Sequence, residues 1–598
     1  MRRWAVTIIG LILVIVLSIL VWDKQPTIYP YLFLSLTVAA LLAYSIISYK
    51  EQQSSAPTIL FILIICLFLR SVPFIATHYG ILPMGDVSYE YAVINTFSDE
   101  GRIFVIPGES LPQIRLTWYS SWPALHSLSL IFSTILDVDP YFVPMILPLV
   151  FSLVGFLFLY LLLHALATGL KLNRVVIPLG LLLYAISPEA IYFGYKFVAQ
   201  SLGVMLVLVE FYLLYKYIQT HDLRIGALII LNAVLIVVTH HYTSFIFAGY
   251  LLIFSALALA SGLLFRAWRR REIWSFRREP LFIGMLGLIM AGSIFLWWSE
   301  VGTVIAGTAA SGASSAAAVL TGGEEFAPHL PATYYPEELV PPWANLLWVR
   351  DFLIYIPVFF GFGWLLWERA KKKSAAAEEP SAFGFLAISL VCFGGIFLFE
   401  LFVSHIEPYR VVLIGLPFIA LGSGVLYIKF LSKSKWAVLI VLVLITTTSF
   451  LGLWGHRYAP IHFYSSSVSA EEVGEFMPFD ERHWEAQGFL VQNFDLEEKD
   501  RILSDAPHLA LRLLPPQMYE KMAPLTGYEI ADALSQALAE NEDLVVIDFG
   551  ASLYSHYWGK RTPSEAKDIR VDFDCVLSQN LTKIYDNDFA IWVSEGKP

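Results

Sequence analysis

Charge, cysteine and nucleotide-binding loops are all scarce in this chain of 598 residues. Asp, Glu, Lys and Arg together make up 15% of it, against about 25% in typical soluble domains, so a water-soluble surface of matching size is excluded. The three cysteines, Cys66, Cys392 and Cys575, stand far apart, and neither a disulfide framework nor a cysteine-based metal centre is written in their spacing. No Gly-rich phosphate loop ending in Lys and Ser or Thr occurs, which argues against an ATP-driven machine. A basic excess is missing as well. The net charge is −11, and from Arg457 onward about 25 acidic residues face 12 basic ones. The remainder is therefore close to neutral, and nothing offers the basic surface that a nucleic-acid partner requires.

What is abundant is apolar sequence, 57% of the chain. Runs of roughly 18–24 residues, each long enough to cross about 30 Å of hydrocarbon, predict about thirteen spans. They fall near 4–22, 29–48, 58–78, 142–166, 175–193, 200–218, 225–240, 244–265, 281–299, 346–367, 382–403, 411–431 and 436–455. The first begins Met1-Arg2-Arg3 and ends at Asp23-Lys24-Gln25-Pro26 without a small-residue cleavage site, so it reads as a retained span with a cytoplasmic start.

Lys and Arg favour short cytoplasmic loops, and the alternate connections agree. Lys171 and Arg174, Lys216 and Arg224, the run Arg266 to Arg278, Arg369 to Lys373, and Lys429 to Lys435 all fall on one side. The expected fold class is a polytopic all-α membrane bundle over 1–455 in the plasma membrane, with long outer loops at about 78–141 and 300–344. An extracytoplasmic α/β domain over 456–598 completes it. In that tail, Arg501-Ile502-Leu503-Ser504-Asp505 and Leu544-Val545-Val546-Ile547-Asp548-Phe549 read as buried strands. Helices are expected near 484–493 and 529–540, and a hairpin turns about Asp586-Asn587-Asp588. Within the first outer loop, 122–136 is apolar but too short to cross, which suits an interfacial helix. The Gly/Ala/Ser-rich stretch 306–323 reads as a linker or a mobile lid.

The polar stretch Pro83-Met84-Gly85-Asp86-Val87-Ser88-Tyr89-Glu90-Tyr91 follows directly on the third span. Asp86 and Glu90, spaced i, i+4, fall on one helix face. A hydroxyl is a poor nucleophile at neutral pH, so a carboxylate held against the outer leaflet suits a general base. The bland alternative is that Asp86 caps a short helix and Glu90 is solvated. Arg410, at the outer mouth of the twelfth span, either grips a phosphate in bidentate fashion or snorkels to the interface. Glu407 beside it is its ion-pair partner or a metal ligand. His240 and His241 close the seventh span as phosphate or metal contacts or as a polar cap. Glu189 lies in the short connection after the fifth span. Arg70 lies about two turns inside the third, where an ionisable group is costly and faces a cavity or a partner, or else snorkels.

These residues resemble the GT-C superfamily of membrane glycosyltransferases, in a prokaryotic or archaeal member. The resemblance rests on Gly85-Asp86 early in a long outer loop and on Tyr119-Ser120-Ser121-Trp122-Pro123-Ala124-Leu125-His126 later in it, a Tyr-x-x-x-Pro-x-x-His-like run before an interfacial helix. An outer soluble domain after the last span fits as well. The resemblance implies hexosyl or pentosyl transfer from a polyprenyl-phosphate sugar to a glycan, lipid or protein acceptor, with inversion, in building cell-envelope glycan. Asp86 would be the base, with Glu90 beside it. Arg410, Arg70 or a divalent metal, Mg or Mn, would stabilise the leaving phosphate. Two departures stand out: the catalytic loop follows the third span rather than the first, and the Trp-Trp-Asp-Tyr-Gly signature of oligosaccharyltransferase catalytic subunits is absent. Two other classes remain open. A transporter or lipid flippase would use ionisable groups deep in several spans, and a non-catalytic assembly or sensor protein would use the tail alone.

Overall fold

A computed structural model describes residues 56–76, 85–101, 119–138, 140–267, 279–300, 352–371, 380–404, 408–434, 436 and 440–447, with five short strands between 501 and 593. The expected spans at 4–22 and 29–48, the outer loop from 301 to 344 and the tail helices at 484–493 and 529–540 lie outside the described residues.

The described part before residue 450 is helical: α1 Ala56–Ala76, α2 Gly85–Glu100, α3 Pro123–Leu136, α4 Val143–Gly169, α5 Val176–Ala185, α6 Pro188–Tyr195, α7 Ala199–Thr220, α8 Leu223–Thr239, α9 His241–Ala267, α10 Glu279–Glu300, α11 Pro357–Lys371, α12 Pro380–Phe399 and α13 Pro408–Lys433. Six of them, α4, α7, α9, α10, α12 and α13, are long and apolar enough to cross a membrane, and α5 with α6 makes a seventh if counted as one span. Helix α3 has 14 residues, about 21 Å at 1.5 Å per residue, too short to cross.

Local chemistry sets the turns that matter for the site. His221 takes a left-handed conformation (φ 54°) and its N–H bonds Tyr217 O, closing α7. Asp222 then caps α8 by accepting from Arg224 N at 2.9 Å. This tight reversal makes α7 and α8 antiparallel, so the start of α7 and the end of α8 share one end of the bundle. The starts of α9 and α13 and the ends of α10 and α12 join them there by the same alternation. Helix α12 runs on into a π-helical turn, Glu400–Ser404, an irregularity that marks functional sites.

The expected single span 175–193 is two helices bent by 60°. Ser187-Pro188 is the cause: proline disfavours helical backbone in the residue before it and has no N–H to donate. Ser187 is accordingly extended, and its hydroxyl accepts from Ala190 N to start α6.

Apolar side chains fill the interior. Phe211 packs edge-on against Tyr250, Phe393 and Phe418. The outward stripe of α10, including Leu281, Met285, Leu288 and Phe295, is exposed, as a lipid-facing surface is. Where α11 meets α13, a Cβ on Gly361 would collide with Gly422 O, so small residues let the two backbones touch.

The tail strands are β1 Arg501–Ser504, β2 Met522–Pro524, β3 Leu544–Asp548, β4 Thr582–Asp586 and β5 Ala590–Val593, in the sheet order β2-β1-β3-β5-β4. Strands β1, β2 and β3 run parallel, with Ser504 opposite Ile547. Strand β5 is antiparallel to β3 and forms the expected hairpin with β4.

Candidate functional site

Helix α2 begins at Gly85, so Asp86 sits in its first turn and Glu90 one turn on, about 6 Å along the axis. Glu90 is buried, 2% exposed, and both of its oxygens are engaged. Oε2 lies 2.5 Å from His126 Nε2, which donates to it. Oε1 accepts from the backbone N–H of Ala199 at 3.0 Å. Ala199 is the first residue of α7, and the capping residue Val198 supplies no side-chain bond. Glu90 therefore caps α7 from a different helix, with a negative charge at the positive end of the helix dipole.

The 119–126 run seats itself along α2. Tyr119 stacks on Tyr89 with ring centroids 5.3 Å apart, and His126 meets Phe97 edge-on at 5.7 Å. Pro123 opens α3 at a position where its missing N–H costs nothing. Between these anchors, Trp122 packs on the His241 ring at 4.8 Å. Trp297 of α10 holds the same segment from the other side, donating its indole N–H to Ser121 O at 2.9 Å.

His240 and His241 lie at the junction of α8 and α9, with ring centroids 4.6 Å apart. His240 Nδ1 accepts from Thr243 N at 3.2 Å and lies 3.0 Å from its hydroxyl, so His240 is the N-cap of α9. Next in the chain, Tyr242 carries the Arg410 guanidinium over its ring at 5.2 Å, and its hydroxyl donates to Glu400. Glu400 is buried at 2% exposure in the π-helical turn. The sequence reading missed it; an acid inside the apolar run 382–403 was the available signal. It missed Glu210 in the same way, a fully buried carboxylate in α7 that accepts from Asn232 of α8 at 2.8 Å.

One end of the bundle thus brings together Glu90, His240, His241 and Arg410, with His126, Trp122, Tyr242 and Glu400 added. Two expected residues gather instead at the elbow between α5 and α6. Arg70 of α1, 1% exposed, donates through Nη1 to Cys66 O at 2.9 Å and to Ala185 O at 3.1 Å. It satisfies the carbonyl freed where α5 ends, and its Nη2 has no partner among the described residues. Gly194 makes room for it, since a Cβ there would collide with Arg70 Nε. Glu189, in the first turn of α6, accepts from the Tyr355 hydroxyl. Glu407 lies outside the described residues. Among the described residues no three His, Cys, Asp or Glu side chains converge on a metal position.

No protein-family model matches this chain, and no curated relative does. Among solved structures it is similar to the Archaeoglobus fulgidus oligosaccharyltransferase in the apo form, at 12% identity and TM-score 0.48 over 87% of this chain and 73% of that one. It is similar also to the Archaeoglobus fulgidus archaeal oligosaccharyltransferase AglB in complex with an inhibitory peptide and a dolichol-phosphate, at 12% identity and TM-score 0.47 over 90% and 74%. A third is ArnT from Cupriavidus metallidurans bound to undecaprenyl phosphate, at 10% identity and TM-score 0.47 over 90% and 98%. Identities of 10–12% with TM-scores below 0.5 leave the activity to be argued from this chain's own residues.

Proposed function

We propose that this chain is an integral-membrane glycosyltransferase that takes a sugar from a polyprenyl-phosphate-linked donor and transfers it to a glycan, lipid or protein acceptor on the extracytoplasmic face. The observation that carries this reading is the seating of the 119–126 run. Tyr119 and His126 fasten it to the helix whose first turn holds Asp86, while Trp122 fastens it to His241, whose chain neighbour Tyr242 underlies Arg410. A single segment joins the helix bearing the proposed base to the cation proposed for the donor phosphate.

In this arrangement Asp86 takes the proton of the acceptor hydroxyl as its oxygen attacks the anomeric carbon. The bond from that carbon to the phosphate oxygen breaks on the opposite face, so the configuration inverts and the polyprenyl phosphate leaves with the electron pair. Arg410 offsets the charge that grows on the leaving phosphate. Its Cζ lies 5.2 Å over the Tyr242 ring, a cation–π contact that helps hold the guanidinium in place. Arg70 stands at the elbow with Nη1 committed to backbone carbonyls, so the phosphate is assigned to Arg410 alone. His241, Glu189 and Glu407 remain candidates for phosphate or metal contact. No step here runs through a metal, and a chelator tests whether Mg or Mn is needed.

The test is a transfer assay with purified protein in lipid, using labelled polyprenyl-phosphate sugars and a membrane extract as acceptor, with wild type and Asp86→Asn compared with and without EDTA. Asp86→Asn is expected to lower turnover by about 10³-fold or more while the protein remains folded. Full transfer by that variant removes Asp86 from the role of base. A broken span braced by a buried cation is also a transporter feature, and α5, α6 and Arg70 favour a membrane transporter or lipid flippase as the second reading. Wild-type protein that binds no donor of this class moves the assignment there.

A further inference from the structure

By spacing alone, Glu90 is as good a base as Asp86. Its surroundings say otherwise. We infer that Glu90 is a positioning residue that holds the Asp86-bearing helix in register with the 119–126 run and with the start of α7, and that it takes no part in proton transfer. This assignment rests on the glycosyltransferase reading above.

Three observations carry it. First, the carboxylate divides its oxygens between two chain segments distant in sequence, His126 at 2.5 Å and Ala199 N at 3.0 Å. A general base needs a lone pair within hydrogen-bond reach of the substrate proton, and Glu90 at 2% exposure offers none to an incoming hydroxyl. Second, each partner depends on Glu90. Val198 gives the start of α7 no side-chain cap. His126, at 0% exposure, has its other ring nitrogen, Nδ1, without a partner among the described residues. Removing the carboxylate thus strands a buried imidazole and a helix-terminal amide together. Third, Phe97 and Glu90, seven residues apart on α2, both touch His126. The ring is clamped along the helix from Glu90 toward its C-terminal end, on the side away from Asp86. The pair therefore fixes the helix one turn beyond Asp86.

Geometry of this kind acts on turnover. A base displaced by about 1 Å costs on the order of 10²-fold in rate, whereas the donor phosphate is held elsewhere, at Arg410. The informative variant is Glu90→Gln. Its amide oxygen still accepts from Ala199 N, and its amide N–H can donate to His126 Nε2 in the alternate tautomer. Glu90→Leu keeps the approximate volume and loses both bonds.

The experiment compares wild type, Glu90→Gln, Glu90→Leu and Asp86→Asn for kcat, donor KM and thermal unfolding in detergent. Glu90→Gln is expected to keep kcat within about tenfold of wild type, the scale of one altered hydrogen bond. Glu90→Leu is expected to lose about 10²-fold in kcat with donor KM within about threefold. A folded Glu90→Gln as inactive as Asp86→Asn overturns the inference and makes Glu90 part of the chemistry. A Glu90→Leu protein with wild-type kcat overturns it from the other side. If Glu90→Leu does not fold, Glu90→Gln alone decides. Wild-type protein that transfers no sugar removes the glycosyltransferase reading and this assignment with it, an outcome distinct from either variant result.

Discussion

Two polar regions interrupt this apolar bundle, and they spend their charges differently. At the elbow between α5 and α6, the Arg70 guanidinium bonds backbone carbonyls, Cys66 O and Ala185 O. It repairs a helix that Pro188 has broken, and the repair is local. At the bundle end, Glu90 pairs with His126 and caps α7, Tyr242 meets Arg410 and Glu400, and Trp122 against His241 bridges the two groups. They link α2, α3, α7, α9, α12 and α13 through their termini. A charge used to mend backbone has one role. Charges paired across helix ends instead hold several helices in register at one end of the bundle.

Substitutions can break or sharpen that contrast. The largest effect after Asp86→Asn is expected from Arg410→Ala, which should raise donor KM by about 10- to 100-fold, the loss of one or two charge-assisted hydrogen bonds. Steady-state kinetics at fixed acceptor measures this, and an unchanged KM would remove Arg410 from the donor site. At the elbow the change should appear in stability instead. Gly194→Ala forces its methyl onto a buried Arg70 and should cost about 1–3 kcal/mol by overpacking, read as a lower midpoint of thermal unfolding. Turnover per folded molecule should stay near wild type, and a selective loss of turnover would merge the two regions into one site. The smallest effect is expected from Tyr242→Phe. It keeps the ring beneath Arg410 and removes the hydroxyl donated to Glu400. Donor KM should rise about fivefold, the scale of about 1 kcal/mol. A loss as large as that of Arg410→Ala would mean that the Tyr242 hydroxyl itself touches the donor rather than only bonding Glu400.

Much of this was legible in the sequence, for reasons that also mark where it stopped. The 119–126 run, the short helix behind it and the hairpin of β4 and β5 depend on local signals, Pro123 and Asp586-Asn587-Asp588, and those were read directly. The elbow escaped because average hydropathy over 175–193 does not register one proline. Glu400 and Glu210 escaped because an acid in an apolar run is interpretable only with its partner, and Asn232 stands on another helix. The partners of Glu90 lie 36 and 109 residues away, beyond any helical spacing rule. Strand β2 was missed because three residues ending in Pro524 carry no period-2 pattern, although proline is at home on an edge strand, which β2 is.

The elbow has one more consequence, in time. Arg70 and its acceptor at Ala185 are separated by 115 residues. At about 5–20 residues per second of synthesis, α1 must wait about 6–23 seconds before the carbonyl that receives its guanidinium exists. During that interval a charged side chain sits in an emerging apolar helix without its acceptor, where an ionisable group is costly. Until α5 and α6 are made, the Arg70 guanidinium lacks the carbonyl it bonds in the folded chain, and the missing Cβ of Gly194 is what lets α6 close on it.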